Sequence, residues 1–305
     1  MQEKILFFLK NIVFICKKYR FYLTLNYRMK RKFTIPVFLF VFLIWLWGVY
    51  IEPYCMLNIK NQDVYIKDFP NGFENIKIAV VADIHAGNWF LEHKRTKRIL
   101  DAVNAQNPDI ILFLGDYTNG YFYQSSLNKD ELQKYLSQFK AKIAKLGILG
   151  NHDALLGDKY ISDVLKNAGI TPIINSNEKV STKYGDIYIA GIADPQSMSY
   201  SYRDSLRNIP EKAPIIFLTH NPAVAREIPH RVDLVLAGHT HGGQIRLPFW
   251  GNLFPIKEVP RERVAGLSYF NNHTVYTSMG LGTSRFPVRY FCIPEFTILR
   301  IYPKK

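Results

Sequence analysis

The sequence predicts an α/β layered domain preceded by one transmembrane helix. An apolar run near the N-terminus contains no charged residue, and after it the chain alternates apolar, strand-like runs with helical stretches. Alternating strands and helices are typical of layered α/β domains, in which residues at the strand ends converge on one rim. The 305 residues, of which 48% are hydrophobic, suffice for a sizeable core, and we place one folded domain at residues 75–302.

The first 32 residues form a basic N-terminal segment. It carries nine lysines and arginines against one acid, Glu3, which is about half of the formal net charge of +14. Positive charge beside an apolar run favours an anionic membrane surface, whereas a nucleic-acid site would interleave basic and aromatic residues along a folded groove. We therefore expect a membrane, and not a nucleic acid, as the partner of this segment.

Residues 33–51 are predicted to form the transmembrane helix. The run is close to the ~20 residues that span the hydrocarbon core of a bilayer. Arg31 and Lys32 precede it, and aromatic residues that suit a membrane interface cluster towards its far end. A buried core helix would have a polar face, and a cleaved signal peptide would have a shorter apolar region, so both are weaker alternatives.

The orientation of this helix decides which side of the membrane the folded domain faces. The basic segment before the helix favours a cytoplasmic N-terminus, which places the domain on the outer side. If the helix instead lies in the interface without crossing, the domain stays cytoplasmic, beside the anionic lipid that attracts the same basic residues. The sequence leaves both orientations open.

The elements of the folded domain follow from hydrophobic periodicity. Short apolar runs predict eight strands, at 76–82, 110–114, 146–149, 187–192, 215–218, 232–237, 274–278 and 296–301. Apolar residues at helical spacing predict helices at 92–104 and 130–143, and Pro108 follows the first helix as a stop signal.

Chemically capable residues stand where several of these strands end. They form five motifs: Asp83-Ile84-His85, Gly115-Asp116, Gly150-Asn151-His152-Asp153, Thr219-His220-Asn221 and Gly238-His239-Thr240-His241. Each motif alone has an ordinary explanation, such as a turn or a helix cap. Together they supply carboxylates, an amide and imidazoles, a mixed set of ligands that suits Mn, Fe or Zn. The ordered set therefore predicts a metal site.

The order of these motifs resembles the signature of the calcineurin-like metallophosphoesterase superfamily, which is Asp-x-His, Gly-Asp, Gly-Asn-His-Asp/Glu, His and Gly-His-x-His. The resemblance covers essentially everything after the apolar helix, and it implies a four-layer α/β/β/α sandwich with two divalent metal ions as cofactors. By position, the implied ligands are Asp83, His85 and His241 for the first metal, Asn151, His220 and His239 for the second, and Asp116 as the bridge between them.

Two bridged cations suit the hydrolysis of phosphate esters and anhydrides. Held ~4 Å apart, they supply a nucleophile from water and stabilise the attacking and leaving oxygens of an in-line displacement. His152 is then implied to face the substrate as the catalytic general acid or hydrogen-bond donor. The alternative is that His152 only holds Asp153 or Asp116 in place, and we expect Asp153 itself to be structural.

A loop near the C-terminus combines glycines with two arginines. Arg285 and Arg289 are candidate substrate-binding residues, because a guanidinium can clamp phosphate oxygens. The other interpretation is an ordinary solvated loop.

The Gly-His-Thr-His-Gly-Gly-Gln-Ile segment and Pro287-Val288-Arg289 resemble a membrane-associated bacterial branch of the superfamily. That branch is linked to hydrolysis of UDP-2,3-diacylglucosamine in lipid A biosynthesis, which implies a lipid-linked substrate at the bacterial cell membrane. A phosphodiesterase or phosphatase acting on another cell-envelope phosphoester or phospholipid remains an alternative. From another class, an inactive membrane scaffold or a nucleic-acid-binding protein also remains.

Overall fold

The computed structural model describes residues 17–18, 34–67, 69–87, 92–119, 127–270, 273–284 and 286–304. Apart from residues 17–18, the basic segment 1–32 lies outside the described residues, and so does Arg285. The chain divides into two compact units, Met1–Trp47 and Gly48–Lys305.

The apolar run near the N-terminus forms a helix, α1 (Thr34–Cys55). It is 22 residues long with a mean hydropathy of 2.2, so its length and composition allow it to cross a membrane. Its large apolar side chains between Ile35 and Trp45 are exposed. Its last nine residues, Trp47–Cys55, are wound as a π-helix. A signal sequence has the same composition, so the membrane span stays a prediction.

The second unit is built from strands that lie in two six-stranded sheets and one small hairpin. In chain order the strands are β1 (Asn58–Lys67), β2 (Ile78–Val81), β3 (Ile110–Phe113), β4 (Ala144–Gly147), β5 (Thr171–Pro172), β6 (Ser176–Thr182), β7 (Gly185–Gly191), β8 (Ile215–Thr219), β9 (Leu234–Ala237), β10 (Arg246–Leu247), β11 (Gly251–Asn252), β12 (Gly266–Phe270), β13 (His273–Thr277) and β14 (Glu295–Lys304). The first sheet has the order β1-β14-β2-β3-β4-β5, the second has the order β12-β13-β9-β8-β7-β6, and β10 pairs with β11.

Helices and single turns connect these strands. The helices are α2 (Glu92–Ala105), α3 (Lys129–Ser137), α4 (Asn151–Ala154), α5 (Asp158–Asn167) and α6 (Tyr202–Ser205). Turns of 3₁₀-helix occur at Phe73–Asn75, Pro222–Glu227, His241–Gly243 and Arg261–Arg263.

The main core lies between the two sheets. Val80 and Leu112 of the first sheet pack in one buried cluster with Ile189 and Leu236 of the second. Central strands such as β2, β3 and β9 are buried at every position, which is why they appear in the sequence as continuous apolar runs.

Helices cover the outer face of each sheet. Ile99 of α2, Leu136 of α3 and Val164 of α5 belong to a second core on the first sheet. Phe217 of β8 packs with Val224 in a third core on the second sheet. The order helix, sheet, sheet, helix confirms the predicted four-layer α/β/β/α sandwich.

Several elements differ from the sequence prediction. The helix predicted over 130–143 ends at Ser137, because the chain must turn there to enter β4. The Lys140 N–H donates to Oδ1 of Asn104, which fixes this turn. Asn58–Lys67, which precede the domain predicted at residues 75–302, form the parallel edge strand β1.

Candidate metal centre

The predicted metal ligands stand just after five strands. Asp83 follows β2, Asp116 follows β3, Asn151 follows β4, and His220 and His239 follow β8 and β9. β2, β3 and β4 are parallel neighbours in the first sheet, as are β8 and β9 in the second. Their carboxyl ends therefore share one edge of the sandwich, and side chains from distant parts of the chain meet there.

Four predicted ligands form a buried cluster. Asp83, His85, Asp116 and His241 each direct one ligand atom into a common space, and these atoms lie within 4.8 Å of one another. Nε2 of His85 is 3.1 Å from Nε2 of His241 and 3.4 Å from Oδ2 of Asp116. Oδ1 of Asp83 is 3.5 Å from Nε2 of His241. The three residues implied for the first metal, together with the implied bridge, are thus side by side.

One histidine of this cluster directs a lone pair into the common space. Nδ1 of His241 is 3.3 Å from the carbonyl oxygen of Gly282, to which it can only donate, so its Nε2 carries the lone pair. Burial lowers the pKa of His85 to about 3 and holds the pKa of His241 well below its usual range. Both rings are therefore neutral, which is the form that binds a metal.

The carboxylates of the cluster differ in how their charge is balanced. Burial, together with Asp116 nearby, raises the pKa of Asp83 to about 7, although His220 opposes the shift. Burial would also raise the pKa of Asp116, but His220 and His85 hold it well below its usual range. The charge of Asp83 is thus poorly compensated by the protein alone, and a cation bound beside it would supply the missing positive charge.

The residues implied for the second metal converge on the other side of Asp116. Oδ1 of Asn151 is 3.0 Å from Nδ1 of His239, and Nε2 of His220 is 3.3 Å from Oδ2 of Asp116. Nδ1 of His220 donates to the carbonyl oxygen of Leu114 at 2.6 Å. Its Nε2 is buried without an aligned hydrogen bond. An amide oxygen and an imidazole nitrogen beside a second, unsatisfied imidazole nitrogen form a site that a cation fits.

Asp116 lies between the two groups of ligands. Its Oδ2 approaches both His85 and His220, at 3.4 and 3.3 Å, and its Oδ1 accepts from the backbone N–H of His152 at 2.9 Å. Without a cation, burial opposes protonation of His220, but its ion pair with Asp116 raises its pKa well above the usual value. The carboxylate, amide and imidazole ligands present suit divalent cations that accept both oxygen and nitrogen ligands.

Backbone strain marks the same positions. Five of the seven predicted ligands have a left-handed φ, between 46° and 69°: Asp83, His85, Asp116, His239 and His241. Each such residue costs about 1–3 kcal/mol and is retained only where its surroundings enforce the conformation. The strain directs these side chains into the shared space at the strand ends.

Two glycines allow the backbone to approach the carboxylates. A Cβ atom on Gly150 would lie 2.1 Å from Oδ1 of Asp116, and one on Gly238 would lie 2.7 Å from Oδ2 of Asp83. No side chain fits at either position without displacing a predicted ligand.

Comparison with known proteins agrees with this geometry. The family of calcineurin-like phosphoesterases matches residues 76–243, which include all five motifs. This chain belongs to the calcineurin-like phosphoesterase family. The family match and the buried ligand cluster make the protein a metal-dependent phosphoester hydrolase.

Individual relatives match most of the chain. "Uncharacterized metallophosphoesterase YkuE" of Bacillus subtilis is 31% identical over 264 residues, which cover 83% of this chain and 87% of the relative. "Phosphodiesterase YaeI" of Escherichia coli is 32% identical over 263 residues, which cover 83% of this chain and 90% of the relative. In Danio rerio, "Transmembrane protein with metallophosphoesterase domain" is 28% identical over 258 residues, which cover 79% of this chain and 56% of the relative.

The phosphoesterase holds His152 at the mouth of the centre. The half-buried ring of His152 packs edge-on against His85, with ring centroids 4.8 Å apart. Its Nδ1 is 2.9 Å from the carbonyl oxygen of Asn119 and can only donate to it. Nε2 is then the nitrogen that can exchange a proton with a substrate. This geometry is compatible with the predicted general-acid role of His152, which stays a prediction.

Asp153 ties two of the motifs together. Its buried carboxylate accepts from the backbone N–H groups of Asp116 at 2.7 Å, Tyr117 at 2.9 Å and Gly150 at 2.9 Å. Burial and the nearby Asp116 raise its pKa to about 8. These contacts give Asp153 the structural role expected from the sequence.

Arg289 is enclosed by the protein. Its side chain is fully buried. Its guanidinium donates to the carbonyl oxygens of Gly282, Cys292 and Met279, and it lies 3.5 Å from Nδ1 of His241. In this structure Arg289 holds the backbone of Met279 and Gly282 in place behind His241. All of these contacts are with the protein itself. Its predicted role as a phosphate clamp stays a prediction.

A second buried arginine escaped the sequence analysis. Arg95 of α2 forms an ion pair with Glu92. It also donates to the carbonyl oxygens of Ile84 at 2.7 Å and Leu281 at 3.0 Å. It thereby fixes the backbone beside His85. The available signal was helical spacing, since Arg95 precedes the buried Ile99 by four residues and shares its face.

A pocket opens beside the metal ligands. It is lined by Pro53 and Tyr54 from the end of α1, by His85, and by Thr283, Ser284 and Phe286 of the glycine-rich loop. The end of α1 thus borders the space from which a substrate would reach the centre.

Proposed function

We propose that this phosphoesterase uses two metal ions to hydrolyse the pyrophosphate bond of UDP-2,3-diacylglucosamine at the bacterial cell membrane. The observation that carries the proposal is the pocket in which Pro53 and Tyr54, at the end of an apolar helix, lie beside His85. A substrate that keeps its acyl chains in a bilayer must be met at the bilayer surface. A pocket bordered by the end of the helix suits such a substrate.

The proposed ligands divide between two sites. Asp83, His85 and His241 would hold the first ion, Asn151, His220 and His239 the second, with Asp116 shared between them. Mn, Fe or Zn is proposed because imidazoles outnumber carboxylates in the set. When bound, the two ions supply a nucleophile from water and stabilise the charge that develops on the phosphate oxygens.

The chain's own residues position the substrate and move a proton. The hydrogen bond from Nδ1 to Asn119 fixes the ring of His152 and leaves Nε2 to protonate the leaving phosphate oxygen. Asp153 keeps Asp116 in place through its backbone N–H. Asp116 can therefore hold one position while charge shifts during the reaction.

The membrane location rests on α1. Its 22 residues, with a mean hydropathy of 2.2, are long and apolar enough to span a bilayer, and the Danio rerio relative is named a transmembrane protein. A UDP-linked lipid is made in the cytoplasm, so this substrate requires a catalytic unit that faces the cytoplasm. An outward-facing unit would instead suit a cell-envelope phosphoester.

A second candidate is a phosphodiesterase that acts on another envelope phosphoester or phospholipid. It is favoured by the Escherichia coli relative, which is named a phosphodiesterase and is 32% identical over 90% of its length. The same metal ligands serve this reaction, so the centre alone does not select between the two substrates.

The deciding experiment measures UMP release from UDP-2,3-diacylglucosamine by the full chain in detergent with Mn. Bis(p-nitrophenyl) phosphate serves as a generic phosphodiester. The Asp116→Ala variant removes the shared ligand, and Asp101→Asn, which alters an exposed ion pair, is the matched control. UMP release that only Asp116→Ala abolishes would support the proposal. Cleavage of the generic diester without UMP release would overturn the lipid substrate and favour the second candidate.

A further inference from the structure

Exposed large hydrophobic side chains concentrate in two short segments of the second unit. Among the described residues of Gly48–Lys305, fourteen such side chains are exposed, and half of them lie in residues 247–254 and 286–291. These are Leu247, Phe249, Trp250, Leu253, Phe254, Phe286 and Phe291. The others occupy separate positions along the chain, as in any folded protein. A concentrated set of this kind marks a contact surface.

Residues 246–254 form an aromatic hairpin. Its strands β10 and β11 pair Arg246 with Asn252, and its turn presents Phe249 and Trp250, which are 107% and 77% exposed. Phe249 has a φ of 68°, a left-handed conformation that glycine or asparagine would adopt with less strain. A strained, fully exposed phenylalanine contributes nothing to the folded core, so its side chain points to a partner outside the chain.

The base of the aromatic hairpin is fixed to the last metal motif. The Arg246 guanidinium donates to the carbonyl oxygen of Gly242 at 2.9 Å, and the Arg246 N–H donates to the carbonyl oxygen of Tyr290 at 2.9 Å. A Cβ atom on Gly243 would lie 2.5 Å from Cβ of Asn252, so the two segments touch. The aromatic hairpin therefore projects from a fixed position beside the metal centre.

The surface formed by the exposed hydrophobic side chains of residues 247–254 and 286–291 continues to the end of α1. The Arg289 N–H donates to the carbonyl oxygen of Gly48 at 2.9 Å, and the Phe291 N–H donates to the carboxylate of Glu52 at 3.0 Å. Between them, the Tyr290 ring fills the space where a Cβ atom on Gly48 would lie. Residues 289–292 thus join the base of the hairpin to the part of α1 that belongs to this unit, residues 48–55.

The surface also borders the pocket. Phe286, which is 72% exposed, is one of the lining residues. The side chain of Gln244, just before β10, donates to the carbonyl oxygens of Phe286 at 3.0 Å and Val288 at 3.1 Å. The aromatic hairpin, the pocket rim and the end of α1 are therefore held to one another by the same loop.

Resting on the proposed membrane location, we propose that the aromatic hairpin, with Phe286 and Phe291, inserts into the surface of a lipid bilayer as a second membrane contact. Phenylalanine, tryptophan and leucine side chains are those that enter the boundary between head groups and acyl chains. Continuity with the end of α1 makes lipid the occupant, because that helix already leads to the bilayer. The contact holds the pocket against the lipid surface, where a lipid-linked phosphate is found.

Trp250 provides the probe. In the full chain, Trp45, Trp47 and Trp89 are each replaced by phenylalanine, which leaves Trp250 as the remaining tryptophan of the four in the sequence. The matched control adds Trp250→Phe and Tyr269→Trp, which places the probe on β12 at a position that is 78% exposed. Both proteins are reconstituted in vesicles of phosphatidylcholine and phosphatidylglycerol, with plain or brominated acyl chains, and tryptophan fluorescence is measured.

Brominated lipid should lower the fluorescence of Trp250 by about twofold or more, because the ring reaches the acyl boundary. Fluorescence of the control at position 269 should not change. Equal behaviour at the two positions would overturn the proposal. A blue shift of Trp250 without quenching would also overturn it and would assign the surface to a second copy of the chain. Quenching does not depend on turnover, so failure of the proposed lipid substrate would leave this result interpretable.

Discussion

The metal ligands and the layer behind them are both buried, but they use charge in opposite ways. At the metal rim, formed by the seven predicted ligands, two carboxylates and two imidazoles direct ligand atoms into a common space, where the charge of Asp83 is poorly compensated. Behind it, the arginine layer, which is Arg95 and Arg289 with the loop 279–284, satisfies its donors with backbone carbonyl oxygens. The residues that can react therefore lie in the metal rim, whereas the arginine layer fixes the backbone that orients them.

The largest effect should follow from a change at the bridge of the rim. Asp116→Asn keeps the shape of the side chain but removes the shared charge, so we expect hydrolysis of bis(p-nitrophenyl) phosphate to fall by about 10³-fold. Elemental analysis should find less than one metal ion per chain, because the loss of the shared carboxylate weakens both sites. His239→Ala, which alters only the second site, should lose one ion. Equal metal content in the two variants would contradict the bridging position.

A smaller loss is expected from His152→Ala. Without the proton donor, turnover should fall by about 10²-fold for a substrate with a poor leaving group, and less for a nitrophenyl ester that needs no protonation. The metal content should stay unchanged, because His152 is not among the proposed ligands. A uniform loss for both leaving groups would indicate that the His152 ring only holds neighbouring groups in place, because alanine keeps the backbone N–H that donates to Asp116.

The arginine layer should affect metal binding more than chemistry. Arg289→Lys removes part of the donor set that holds the loop behind His241, so the Mn concentration for half-maximal activity should rise about tenfold. Turnover at saturating Mn should be largely restored. Arg300→Lys, at an exposed position on β14, is the control. If both variants respond alike, the distinction between rim and layer fails.

The smallest effect on turnover is expected from Glu92→Gln. It leaves the buried Arg95 without its carboxylate partner, and breaking such a pair lowers the free energy of unfolding by about 3 kcal/mol. The carbonyl contacts of Arg95 remain, so the metal rim should keep its geometry. Chemical denaturation measures the loss. Asp204→Asn, in an exposed pair with Arg207, should cost less than about 1 kcal/mol by comparison.

The strands of the fold were predictable because their apolar runs are local. All eight predicted strands occur in the structure within a few residues, since central strands covered on both faces must be apolar throughout. β1 was missed because it is an edge strand with a polar sequence and only Val64 and Ile66 buried. The short pair β10 and β11 was missed because two-residue strands leave no periodic pattern.

The fold class, the order of the motifs and the residue types that can bind metal follow from the amino-acid sequence, because each depends on residues close together in the chain. Three features are visible only in the folded chain: Arg289 faces inward, Arg95 supports the backbone beside His85, and the aromatic hairpin adjoins the end of α1. These features depend on contacts between segments far apart in sequence. An arginine or a phenylalanine looks the same in a sequence whether it is buried or exposed, and packing alone assigns its partner.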